Sequence, residues 1–188
     1  MKSGAGTLIL SSTSNAFTDI HFNQGAVQAS ALNRLGSGNL NFFGGTLKFG
    51  GVFDPTSTKT ITLGTGGGSF DTTGFNISFA NGIGGTGVLT KNGAHTPPPH
   101  RPAPYTRAPP LRGGPLGGGV NNAIGGGAVS ITSGATLNMS ANATVSGLTF
   151  SAGAANAIIG SGPLTVSGDA RLNQGSIGAA LAGTMNLY

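Results

Sequence analysis

Four aspartates and no glutamate are all the carboxylates that this 188-residue chain offers for acid–base chemistry. Hydrolysis or elimination on a polysaccharide needs a pair of such groups, or an acid and a base, facing the bond to be broken. Asp54 and Asp71 lie 17 residues apart, with Lys48 and Lys59 close by in sequence. That spacing makes a pair only if the backbone returns on itself with a similar period. The same residues also read as turn formers: Asp54 precedes Pro55, and Asp71 precedes Thr72-Thr73-Gly74, where a short carboxylate bonds backbone N–H groups. His21 alternates outward between Ile20 and Phe22 and has no His, Cys or acid at metal-ligand spacing, so it reads as a surface side chain. His95 and His100 fall in a segment of foreign composition and carry no weight. The glycine-rich stretches 64–68, 82–87 and 117–119 lack both the Gly-Lys-Ser/Thr of a phosphate loop and the Gly-x-Asp word of a calcium-binding repeat. No catalytic, cofactor-binding or metal-ligating residue is therefore assigned, and the chain reads as non-catalytic.

Any such site would have to be positioned by elements of an unusual kind. The chain holds 36 glycines and no cysteine, its polar residues are mostly Thr, Ser and Asn, and 37% of it is hydrophobic. That is too apolar for a disordered linker, too poor in helix formers for a bundle, and rich in strand-compatible and turn-prone residues. The formal charge of +5 does not point to nucleic acid, because Arg101, Arg107 and Arg112 share one segment and the rest is thinly charged. No apolar run approaches the roughly 18 residues of a membrane-crossing helix, and Met1-Lys2-Ser3-Gly4 does not open a signal peptide.

Short alternating runs, each closed by Gly or Asn, predict strands at Thr7–Leu10, Ile20–Phe22, Ala26–Ala29, Leu40–Phe42, Thr46–Phe49, Thr60–Leu63, Ser69–Phe70, Asn76–Phe79 and Gly87–Thr90. The second half repeats the theme at Ala128–Ile131, Ala135–Met139, Thr144–Val145, Leu148–Phe150, Ala157–Ile159, Leu164–Val166 and Ile177–Leu181. Turns after Gly25, Gly45, Gly68 and Gly87 restart the pattern every 19 to 23 residues, the length of one coil of a right-handed parallel β-helix, or β-solenoid. A longer self-similarity overlies this one. Lys2-Ser3-Gly4-Ala5 recurs as Lys91-Asn92-Gly93-Ala94, and the stretch from Asn33 to Leu40 recurs from Asn122 to Val129, both 89 residues on. The closing words Gly85-Thr86-Gly87-Val88-Leu89 and Gly183-Thr184-Met185-Asn186-Leu187 echo each other at an offset of 98. This organisation gives a first solenoid copy at 1–94 and a second at 122–188, and exposed end coils predict self-association.

Between the copies, residues 95–121 hold eight of the ten prolines and three of the five arginines. The offset of 89 is the same on either side, so length was kept where strand chemistry was lost. Two compensating shifts of reading frame account for that, because proline codons read out of phase become codons for Thr, Ser, Ala or Pro. A genuine proline-rich insert in the polyproline II conformation, with Pro99-His100-Arg101-Pro102 as a PxxP word, is the other reading. On either, 95–121 is expected to be an irregular or disordered segment that does not stack as strands.

Gly85-Thr86-Gly87-Val88-Leu89-Thr90-Lys91-Asn92-Gly93-Ala94 is similar to the Gly-x-Gly-x-Leu-x-Lys-x-Gly signature of the autotransporter-associated β-strand repeat. Gly4-Ala5-Gly6-Thr7-Leu8-Ile9-Leu10 resembles the close of that signature, and the stretch from Thr60 to Thr72 resembles its upstream coil. The resemblance implies a stalk or passenger segment of a bacterial surface protein. Such a segment is extracellular, associated with the outer membrane through a C-terminal β-barrel translocator on a longer chain, and able to adhere to a host glycan or protein. No cofactor is implied. A carbohydrate-active β-helix enzyme is the rival function on the same fold. His95-Thr96-Pro97 departs from the Gly-Thr-Leu expected after Ala94, and no barrel follows Tyr188. The frameshift reading predicts that resequencing the locus from codon 80 onward restores a Thr/Ser/Gly strand pattern across 95–121; a proline tract that persists establishes the insert.

Overall fold

A parallel strand can satisfy its backbone only against another strand in the same direction, and a chain of short strands joined by glycine corners meets that need by coiling. The computed structural model describes residues 1–53, 59–75, 83–93, 110–112, 115–118, 124, 126–132, 134–151 and 157–188, with 110–112 and 115–118 described by backbone alone. It is an all-β parallel β-solenoid with coils of about 21 residues. Among the described residues there is no α-helix, and a single 3-10 turn occupies Leu32–Leu35.

The backbone of the solenoid is one long sheet of nine parallel strands: Thr7–Leu10, Ala26–Ala29, Thr46–Phe49, Gly68–Asp71, Leu89–Asn92, Pro110–Arg112, Ala128–Thr132, Gly147–Phe150 and Ala170–Leu172. Through the first half a second sheet lines another side, built from Asp19–Phe22, Asn39–Phe42, Ile61–Leu63 and Ile83–Gly85. The second half has two further sheets, one from Pro115–Gly118, Thr136–Met139, Ala157–Ile159 and Ser176–Ile177, the other from Ala143–Val145, Leu164–Val166 and Leu181–Ala182. The expected strand at Asn76–Phe79 lies outside the described residues. The run 177–181 is broken, with Ile177 and Leu181 in different sheets.

Registers within the sheets stack like on like. Phe22 pairs with Phe42 and Phe42 with Leu63, and the first two rings lie parallel with centroids 4.2 Å apart. Val27, Leu47 and Phe70 form the neighbouring inward column. Phe70 meets Phe42 and Phe49 edge-on, and Phe53 meets Phe49 in the same way. Among the described residues the first half shows no third sheet, and Leu32, Leu35 and Phe53 are buried members of its core. In the second half Leu137 stacks on Ile158, Val145 on Val166, and Ile131 on Phe150. Polar atoms stack too. Asp19 Oδ1 accepts Asn39 N–H at 2.7 Å and Asn39 Oδ1 accepts Thr60 N–H at 3.1 Å, so side-chain oxygens tie successive coils at the strand entrance.

One sequence expectation is corrected by the registers. Residues 110–112 and 115–118 lie within the segment expected not to stack, yet both are strands, paired in parallel with Ala128–Thr132 and Thr136–Met139. Each begins on a proline, Pro110 and Pro115. The first residue of a strand is a position where the missing N–H is tolerated. The other residues of 95–121 lie outside the described set. The 89-residue repeat, moreover, does not superpose faces: Leu40 pairs with Ile61 in the second sheet of the first half, whereas Val129 pairs with Leu148 in the long sheet. The offset of 98 is in phase. Gly85 and Gly183 have φ of 104° and 117°, and a side chain at either would strike the carbonyl oxygen of the coil before, Leu63 or Val166. Each glycine then leads the chain back to the long sheet, at Leu89 and at the bridge between Leu187 and Ala170.

The stacked phenylalanine column predicts a steep contrast between adjacent positions. Phe42→Ala should cost about 4 kcal/mol, and Phe43→Ala, with its half-exposed ring, less than about 1.5 kcal/mol. Urea titration followed by circular dichroism measures both.

Candidate functional site

The coil length brings the residues singled out by their chemistry to definite places. Asp71 ends a long-sheet strand beside Lys48, with Nζ and Oδ2 3.7 Å apart on the outer surface. Its Oδ1 accepts Thr73 N–H at 3.1 Å, which is the turn role that competes with catalysis. Asp54 lies outside the described residues. Lys59 is engaged elsewhere, donating to Gly36 O at 2.6 Å and Gly38 O at 2.7 Å. Burial lowers its pKa, and the charge of Asp19 opposes that shift. His21 faces outward as expected and stacks on Phe43, centroid to centroid 5.8 Å and nearly parallel. Among the described residues no three His, Cys, Asp or Glu come together as a metal site.

A different group of residues forms the most developed polar cluster. Alternation from Leu89 places Lys91 inward, in register with Phe70 on one side and Leu111 on the other. It is the only buried charged side chain among the described residues, 1% exposed in a column otherwise apolar in the first half. Its ammonium donates to Gly93 O at 2.7 Å and Asn92 O at 3.1 Å. Thr72, fully buried in the preceding coil, donates its N–H to Asn92 O at 3.2 Å and its hydroxyl to the same oxygen at 3.3 Å. Gly93 has φ of 88°, and a Cβ there would stand 2.7 Å from Thr72 Oγ1, so the close approach needs glycine. Burial lowers the Lys91 pKa to about 8, and the nearby Asp71 carboxylate opposes the shift. In the sequence Lys91 stood only as one letter of a repeat word. The signal that could have singled it out was period two, since Leu89 and Lys91 must share a face.

Comparison of the chain with protein-family models, with curated proteins and with solved structures returned no match. The fold is a parallel β-solenoid. On that scaffold the cluster can do two things. It fixes the corner where the chain leaves the long sheet, and it gathers donors around one peptide carbonyl.

Holding an ammonium in an apolar column costs stability, and the cost depends on pH. In the folded chain Lys91 loses its proton near pH 8, well below its ordinary value of 10.5. Below pH 8 both states hold the proton and the penalty is in full force; as pH rises from 8 towards 10.5 the unfolded chain binds the extra proton, so stability should increase by on the order of 2 kcal/mol. Lys91→Met should abolish that rise and stabilise the fold at neutral pH by about 1 kcal/mol. Urea midpoints taken across this range for both proteins test the sign.

Proposed function

We propose that this chain is a non-catalytic stalk segment of a bacterial surface-exposed, autotransporter-type passenger, which projects or supports an adhesive region. The observation that carries the reading is the long sheet itself, nine parallel strands at one per coil, because it makes length the principal product of the sequence. The outer faces support it. The outward column beginning at Thr7 continues through Ala26, Thr46, Ser69 and Thr90, and among the described residues only two ion pairs occur, Lys48 with Asp71 and Arg171 with Asp169. Weak contacts along such Thr- and Ser-rich faces are the means by which the segment would add to adhesion to a host glycan or protein. On this reading the longer chain carries a β-barrel translocator and the segment acts outside the cell. A carbohydrate-active enzyme has less support, since Asp71 is already bound to Lys48 and to its own turn.

Fusing the chain between a secretion signal and an outer-membrane β-barrel translocator tests the proposal. The expected result is an epitope at its N-terminus that antibody reaches on intact cells, together with a protease-resistant body released as a rod. Retention in the periplasm would count against a passenger role, and release of reducing ends from polysaccharide by the purified chain would overturn the non-catalytic reading.

A further inference from the structure

Three hydrogen-bond donors converge on one backbone oxygen, that of Asn92: the Lys91 ammonium at 3.1 Å, Thr72 N–H at 3.2 Å and the Thr72 hydroxyl at 3.3 Å. This is the arrangement that stabilises an oxyanion when a carbonyl is attacked. All three donors are on residues with almost no exposure, Lys91 and Thr72, which limits screening by water. The peptide bond concerned joins Asn92 to Gly93. The Asn92 side chain is exposed, and its amide nitrogen can reach the carbonyl carbon of its own residue through a five-membered ring. In a free chain that reaction is slow because nothing supports the charge that develops on the oxygen.

We propose that the solenoid cuts its own backbone between Asn92 and Gly93, through attack of the Asn92 side-chain amide on the Asn92 carbonyl held in this three-donor cradle. A bond forms between Nδ2 and the carbonyl carbon, and the oxygen takes the negative charge toward Lys91 and Thr72. The tetrahedral centre collapses with rupture of the bond to Gly93 nitrogen. Nδ2 gives up one proton and the Gly93 nitrogen gains one. Water at the exposed Asn92 side chain carries it from one nitrogen to the other. The products are a segment ending at residue 92 in a cyclic succinimide and a segment beginning with the free amine of Gly93. No co-reactant is consumed. With its pKa near 8, Lys91 is still a cation at neutral pH and remains a donor. The cut falls between the two buried clusters, one running from Ile20 to Leu89 and the other from Ile124 to Ala179, so each product keeps a core of its own.

The purified full chain, incubated at neutral pH and sampled by intact mass spectrometry, tests this directly. The expected result is two fragments meeting at 92 and 93, the first lighter by one water than its hydrolysis product. Denatured chain should cleave at least about tenfold more slowly, because the cradle exists only when folded. Asn92→Ala should not cleave. Thr72→Val and Lys91→Met should each slow the reaction about tenfold or more while keeping the solenoid's circular dichroism. If either variant fails to fold, the folded-against-denatured comparison decides the matter. A chain that stays whole for weeks, equal rates in folded and denatured protein, cleavage of Asn92→Ala, or conversion of Asn92 to aspartate without a break would each overturn the proposal.

Discussion

Everything in this molecule depends on parallel backbone pairing between coils that lie some 20 residues apart in sequence. No coil can close its own hydrogen bonds, and none buries enough surface alone. Pairing sets the vertical spacing of side chains at roughly 4.8 Å, and that spacing turns residue choice into a question about columns. A phenylalanine at one rung presents its ring face to the next, as Phe22 does to Phe42. An aspartate or asparagine at the strand entrance meets the amide of the coil that follows. Corners must let one backbone pass against another, which is why Gly85 and Gly183 are pressed on carbonyl oxygens.

The scarcity of acids shapes how the bases are accommodated. Lys59 and Lys91 turn to backbone carbonyls at the corners, and Lys2 does the same at Gly4 O and Gln24 O. A carbonyl dipole is a weaker partner than a carboxylate, and burial lowers the pKa of Lys59 and of Lys91. The same economy gathers donors at Asn92. A charged group placed inward to seal a corner necessarily polarises the peptide that it seals.

The fold was legible because its period was written twice, in alternation along strands and in glycine restarts between them. Thr7–Leu10, Ala26–Ala29 and Thr46–Phe49 match the expected bounds residue for residue. Strands that escaped notice had weak or misleading patterns. Ala170–Leu172 carries an exposed arginine at its centre, Ile83–Gly85 is two-thirds glycine, and Pro110–Arg112 was hidden by composition. Local pattern reports what a residue prefers, whereas pairing partners on both sides can hold a strand that prefers little. The polar cluster was harder to see than the strands. Its members come from two successive coils, Thr72 and the stretch from Lys91 to Gly93, and only the register brings them together.

The mismatch between the 89-residue repeat and the coil has a bearing on how such rods diversify. Equivalent words sit on different sides, Leu40 in the second sheet and Val129 in the long one, so any side of the coil accepts the same vocabulary. A duplicated segment need not contain a whole number of coils to be absorbed. When it does not, every outward residue downstream is carried around the axis by one face while the inward columns stay filled. Lengthening the rod then also rotates what it displays, and a lineage can aim a patch of surface in a new direction by copying existing sequence, with no substitution in the patch itself.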